Sequence, residues 1–299
     1  MTFRPTRTIA ALLAFLAGCG ATPAPVTAPS QPPAAPCDRI VSMAPSLTEM
    51  AYALDLQDRL VGVTRYCVYP PEAHAKPSVG GFLDPNYEAI LVLQPTIVLT
   101  LPAHEEIRQK LAALGIRYET MGEDTLDGIF SGIEQMGALC GARDKADALL
   151  GTLRGRVAAI RAKVAALPHP RTLIVIGRDY ASPALEQVFI AGPGRFQSQL
   201  VEAAGGVNVY DGPPMDYPAI GPEGLMRLNP DVILEMAPDV DLPDETLRAA
   251  WETLPNIAAV RDKRIYILRG DYISIPGPRV VNTLEDIARA LHPDAEFGA

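Results

Sequence analysis

The chain has little of the equipment that hydrolysis, redox chemistry or nucleic-acid binding calls for. No two of its 4 cysteines form a CxxC pair, which removes zinc ribbons and thiolate-held iron–sulfur clusters, since both need clustered sulfur. There is no GxSxG elbow and no HExxH pair. The sequence GPGR at 192–195 precedes an apolar helix-like run, but it lacks the spacing and the Lys-Ser/Thr ending of a phosphate-cradling loop. The scattered acidic residues show no paired arrangement for general acid–base work, so the reading is a protein without catalytic residues and without a resident cofactor or metal. Basic residues are outnumbered 26 to 35, and a net charge of -9 argues against nucleic acid held by phosphate contacts.

Long apolar runs are also missing. Ile9 to Ala17 is too short to span a bilayer, and with Arg4 and Arg7 before it the segment reads as a signal peptide over residues 1–18. It ends in Leu16-Ala17-Gly18-Cys19, which resembles a bacterial lipobox, with Cys19 as the lipidated first residue of the mature chain. Residues 19–37 hold prolines at 23, 25, 29, 32, 33 and 36 and no charge before Asp38. Such a stretch favours extended polyproline conformations and acts as a semi-rigid spacer. A globule tethered to the outer side of a bacterial membrane is expected. In that oxidising setting Cys37, Cys67 and Cys140 allow at most one internal disulfide and leave one thiol over.

From Arg39 onward short apolar runs alternate with amphipathic segments, the pattern of parallel α/β folds. RIVSM (39–43), LVGVT (60–64) and TIVLTL (96–101) read as buried strands of a first lobe spanning 38–137. Ser46-Leu47-Thr48-Glu49 reads as a helix capping box, and 104–115 as a helix stopped by Gly115. TLIVIG (172–177), DVILEM (231–236) and RIYIL (264–268) are strands of a second lobe, 168–299, which closes with a helix at 280–291. Between them 142–167 has no proline and is rich in Ala, Leu, Arg and Lys, so it reads as a stiff helix within an inter-lobe segment 138–167. The expectation is two similar Rossmann-like lobes, each a small, mostly parallel sheet flanked by helices, with a ligand cleft between them.

One stretch occurs twice. NYEAILVLQPTIVL from Asn86 is echoed by GPEGLMRLNPDVIL from Gly221, placing Glu88 on Glu223 at an offset of 223 − 88 = 135, with Leu93 on Leu228, Pro95 on Pro230 and Leu99 on Leu234. Asn86 and Gly221 stand where N-caps belong, and a carboxylate in the first turn complements the helix dipole. Two such carboxylates in separate lobes form a pseudo-symmetric pair of anions suited to a two-fold partner.

This repeat, the helical connector, the lipobox and the phrases RIVSMAPSLTEMAYAL, VGVTRYCVYP, VGGFLDPNYEAILVLQPTIVL, FIAGPGRFQSQLVEAAGGVNV and PGPRVVNTLEDIARALHP resemble the periplasmic-binding-protein family with a helical backbone, over about residues 38 to 293. The resemblance implies a monomeric substrate-binding protein of an ABC importer, carrying cobalamin, a ferric siderophore or haem to a permease dimer. It implies that Glu88 and Glu223 dock onto the two permease subunits, and that Pro45, Ser46, Tyr66, Phe82, Tyr180 and Tyr272 contact the ligand. The arrangement of APSLTE, YCVYP and GGFLDPNYE is closest to cobalamin-binding members. Those commonly place tryptophans in the cleft, whereas here Trp251 lies outside the matching segments and Phe82 and Tyr272 stand in. Haem would need an axial donor such as Tyr66, Tyr69 or Tyr180, with His74 and His104 behind them; a siderophore would call on Arg65, Arg178 or Arg279. Cys67 reads first as a small buried residue and second as a soft metal donor.

Overall fold

The computed structural model describes residues 36–122, 124–182 and 184–297. The signal segment, Cys19 and nearly all of the tether fall outside them. The first lobe runs β1 (Ile40–Ser42), α1 (Pro45–Ala53), β2 (Leu60–Val63), α2 (Tyr87–Val92), β3 (Ile97–Thr100), α3 (Glu105–Ala113), β4 (Tyr118–Thr120) and α4 (Leu126–Leu139). Its four strands form a parallel sheet in the order β2-β1-β3-β4. Helix α5 (Arg143–Val164) follows, 22 residues or about 33 Å long at the α-helical rise.

The second lobe contains β5 (Arg171–Arg178), β6 (Val188–Ile190), α6 (Phe196–Ala203), β7 (Val207–Asn208), β8 (Ala219–Ile220), α7 (Pro222–Leu228), β9 (Val232–Met236), α8 (Asp244–Trp251), α9 (Ala258–Arg261), β10 (Ile265–Leu268) and α10 (Val280–Leu291). Its sheet follows β10-β9-β5-β6-β8, with β7 also on β5. The β10-β9-β5 part is parallel, whereas β6 and β8 pair antiparallel. Neither that antiparallel edge nor β4, α4 and α8 figure among the sequence expectations; the strands are only two or three residues long, whereas α4 buries Leu126, Ile129, Phe130, Ile133 and Met136 at helical spacing and was legible.

The repeat is a structural one. Strand β3 lies between β1 and β4, and β9 lies between β5 and β10, each preceded by its own helix, α2 or α7. Strand side chains alternate between faces. Ile97 and Leu99 therefore enter the central core together with their counterparts Val232 and Leu234. Val98 and Ile233 turn to the outer faces, where they meet Ile90 of α2 and Leu225 of α7. The same burial is written in both copies because both bury the same two faces.

The central core is continuous across the lobes, joining Leu47 and Ile133 of the first to Phe196 and Leu284 of the second, with Leu150, Leu153 and Val157 of α5 between them. On the exposed side of α5, Arg156 donates to Asn282 at 2.8 Å and to Glu285 at 2.7 Å on α10. A disulfide joins Cys37 to Cys140, 103 residues later, pinning the start of β1 to the end of α4. Among the described residues Cys67 is the free thiol, and it is buried.

Helix α1 corrects one sequence expectation. Its N-cap is Ala44 and its first helical residue is Pro45, so Ser46 and Glu49 lie inside the helix and form no capping box. Proline suits the first helical position, where its missing N–H costs no hydrogen bond, so the helix begins before Ser46, and the Thr48 N–H is already taken by the Ala44 carbonyl at 3.1 Å.

Candidate functional site

The loops leaving the carboxyl ends of the parallel strands meet between the lobes, the usual place for ligands in open α/β sheets. A cavity of about 290 Å³ opens there. From the first lobe it is lined by Ala44, Pro45 and Ser46 after β1, Tyr66 after β2, Phe82 before α2, and Leu101 after β3. From the second it takes Arg195, Phe196 and Gln197 at the start of α6, together with Tyr217 and Ile275. The walls are mainly apolar and aromatic, with few polar groups. Tyr66 stands 51% exposed at the rim, 5.3 Å below the Arg65 guanidinium.

Phe82 is backed by His104, whose ring meets it edge-on at 4.4 Å. His104 is buried, and its Nδ1 accepts the Leu101 N–H at 3.1 Å, so the proton sits on Nε2. Burial, aided by the nearby Arg108 charge, lowers its pKa to about 4. It is a neutral support for the aromatic wall. His74 is exposed on a surface turn.

Across the cavity Arg195 is held in place by the two lobes at once. Its Nη1 donates to Asp124 at 2.7 Å, its Nη2 donates to the Tyr217 hydroxyl at 2.9 Å, and its guanidinium stacks 4.9 Å from the Tyr217 ring. Nearby, the Leu126 N–H donates to Gln199 Oε1 at 2.7 Å, a second tie between the start of α4 and α6.

One turn along α1 from the cavity-lining Ser46, Glu49 receives Arg279 in a two-point pair, 2.9 Å from Nε and 2.6 Å from Nη2. Arg279 also donates to Asp271 at 2.8 Å and lies 3.6 Å over the Tyr69 ring and 5.5 Å from the Tyr272 ring. Burial is the largest influence on Glu49 and pushes its pKa up against the opposing pull of Arg279. For Arg279 burial works against the charge, but hydrogen bonds to Glu49 and Asp271 outweigh it and the pKa rises.

Of the residues the sequence nominated for the ligand, Pro45, Ser46, Tyr66 and Phe82 line this cavity together. Tyr272 does not line it: its hydroxyl donates to Asp286 at 2.7 Å, and its ring supports Arg279. Tyr180 lines a separate hollow of the second lobe beside Arg178 and Leu247; burial first, then the Glu235 charge, pushes its pKa up to about 12. Arg178 donates to fully buried Glu235 at 2.9 Å, and Trp251 Nε1 donates to the same carboxylate at 2.8 Å. Arg178 and Arg279 are thus both engaged by carboxylates. Cys67 sits among hydroxyls, 3.1 Å from Thr48 and 3.2 Å from Thr64, and burial raises its pKa. No group of three or more His, Cys, Asp or Glu suited to a metal occurs among the described residues. Arg195, Gln197 and Tyr217 were not singled out from sequence, because only the apposition of the lobes gives them a role.

Glu88 and Glu223 are exposed in the first turns of α2 and α7, after N-caps Asn86 and Gly221. The Asn86 side chain accepts the Ala89 N–H at 3.0 Å. One turn further on, Leu91 and Met226 occupy matching places and are exposed to nearly the same degree, 45% and 43%.

The profile of a family described as periplasmic binding protein matches residues 40–272. A vitamin B12-binding protein of Vibrio cholerae is 27% identical over 258 residues, 86% of this chain and 90% of that one. Among solved structures, a periplasmic heme binding protein from Pseudomonas aeruginosa superposes with a TM-score of 0.75 at 26% identity, covering 88% of this chain and 95% of that one. An ABC-type Fe3+-hydroxamate transport system protein from Saccharomonospora viridis gives 0.70 at 25% identity, covering 86% and 94%.

Proposed function

The chain belongs to the periplasmic binding protein family, and on that premise we propose that it captures cobalamin in the cleft between its lobes and delivers it to the permease dimer of an ABC importer. The observation that carries this reading is the cavity wall of Pro45, Tyr66, Phe82, Leu101 and Phe196, an apolar and aromatic surface built from both lobes. A flat, rigid ligand with apolar faces gains most from such a wall, because aromatic contact adds to simple burial and neither partner loses much freedom. A corrinoid exceeds the cavity volume, so it fills the cavity with one side of its ring while the remainder stands in the mouth between the lobes. Kinship with the vitamin B12-binding protein of Vibrio cholerae supports the same cargo.

Glu88 and Glu223 are the docking carboxylates, one for each permease subunit. In each lobe the helix feeding the central parallel strand runs antiparallel to that strand, so both helix starts lie at the strand ends that face the cleft. The exposed Leu91 and Met226 repeat beside them, giving each contact an acidic tip and an apolar shoulder. Cys19 anchors the protein by lipid to the envelope, with the proline-rich segment as its spacer, and the protein binds its cargo without transforming it.

Haem is the second reading, favoured by Tyr66, whose exposed phenol at the cavity rim could ligate ferric iron. Calorimetric titration of the mature chain with cyanocobalamin, haemin and a ferric hydroxamate separates these. Tight, saturable binding of cyanocobalamin alone supports the proposal; selective haemin binding accompanied by a phenolate–iron absorption band transfers it to the haem reading.

A further inference from the structure

The first turn of α6 holds a run of polar side chains, and all but one of them are engaged within the protein. Arg195 is bonded to Asp124 and Tyr217. Ser198 Oγ accepts from Asn208 at 3.2 Å, and Gln199 Oε1 accepts the Leu126 N–H. Gln197 stands between them, is 3% exposed and lines the cavity, yet its Oε1 has no hydrogen-bond partner among the described residues. A buried carbonyl oxygen without a donor is unfavourable, and leucine at this position would avoid the cost. The position makes physical sense if the missing donor arrives with the cargo.

We propose that the Gln197 carboxamide is a specificity-determining group of the cleft, selecting ligands that present a primary amide. The inference rests on the corrinoid reading above and sharpens it. A primary amide carries a donor and an acceptor side by side, so it can pair with Gln197 at two points whichever way the glutamine amide is turned. An ionised carboxylate or an ester carries acceptors only. Either of them leaves the glutamine oxygen as unpaired as it is in the empty cleft, whereas a primary amide supplies the missing donor on binding, and that gained hydrogen bond is the discrimination. Corrin rings bearing carboxamide side chains are therefore favoured over rings bearing carboxylates, such as haem.

Two corrinoids with the same ring test this: dicyanocobinamide, which has primary amides, and dicyano-cobyrinic acid heptamethyl ester, which has only acceptors. Affinities are measured by calorimetry on the mature wild-type chain and on Gln197→Leu, with Gln197→Met as the second variant should the leucine chain fold poorly. Wild type is expected to prefer the cobinamide. The variant should lose about tenfold in cobinamide affinity while its ester affinity holds or improves, and its ligand-free melting temperature should rise because an unpaired buried amide is gone. The same affinity ratio in wild type and variant overturns the role of Gln197 while leaving the corrinoid cargo intact. A wild type that binds haemin and neither corrinoid overturns both.

Discussion

Arg279 reaches from the second lobe to Glu49 of the first, 230 residues away in sequence, and grips it at two points while Tyr69 and Tyr272 flank its guanidinium. The pair joins the first helix of one lobe to the approach to the last helix of the other. With the shared apolar core and helix α5 it makes the two lobes a stiff body, so closure over a cargo is expected to be small.

Removing one member of that pair strands a buried charge. Arg279→Met should destabilise the fold by about 3–5 kcal/mol, read as a lower denaturation midpoint. Adding Glu49→Leu should recover most of the loss, because no unpaired carboxylate then remains. A single variant as stable as wild type would show that the tie contributes nothing.

His104 gives the protein an acid sensitivity. Its pKa is near 4 in the fold against 6.5 ordinarily, so between those values the unfolded chain binds the proton more readily. Stability is fully present above pH 6.5 and is lost as pH falls toward 4, by up to about 3 kcal/mol at the full shift. The stability gap between wild type and His104→Gln should accordingly narrow from pH 7 to pH 4. A gap that stays constant would contradict a neutral, buried ring.

Truncating the aromatic wall should cost affinity directly. Phe82→Ala is expected to weaken cyanocobalamin binding by roughly ten- to a hundredfold, the worth of one buried aromatic contact. Tyr180→Phe and Tyr272→Phe, whose hydroxyls lie away from the cavity, should change it less than about twofold. Calorimetry on the three variants decides, and equal effects would move the binding surface elsewhere.

Docking should separate cleanly from cargo binding. Charge reversal at Glu88 together with Glu223 should weaken the complex with the reconstituted importer at least about tenfold while cargo affinity is unchanged. Leu91→Ser with Met226→Ser should weaken it further. Loss of cargo affinity in these chains would place the carboxylates in the wrong role.

The Cys37–Cys140 bridge closes a loop of about a hundred residues. Replacing both cysteines with serine should cost roughly 4–5 kcal/mol, the chain entropy that such a loop restores to the unfolded state. Thiol titration of the intact chain, denatured without reductant, should find Cys67 as the one free thiol of the three. Two or more would mean that the bridge does not form.

Much of the fold is legible in the sequence because local chemistry enforces it. Strands β1, β3, β5 and β9 announce themselves as apolar runs that must be buried on both faces, and α5 as a long stretch of strong helix formers. Glu88 and Glu223 stand out because the same unit, burying the same faces, is written twice. Ser46 and Glu49 mislead, since Ser-x-x-Glu also fits the inside of a helix that Pro45 has already begun, and the partner that explains Glu49 is the distant Arg279.

What sequence alone determined, then, were the features set by neighbours along the chain: the periodicity of the main strands and helices, and the repeat with its N-caps Asn86 and Gly221. Tertiary structure decided which residues meet across the cleft. Arg195, Gln197 and Tyr217 acquire meaning only when α6 is brought against the loops of the other lobe, and Arg178 and Arg279 were assigned to carboxylates rather than to a cargo by the same folding. A side chain's partner is chosen by proximity in space, and over gaps as long as 230 residues no local pattern records it.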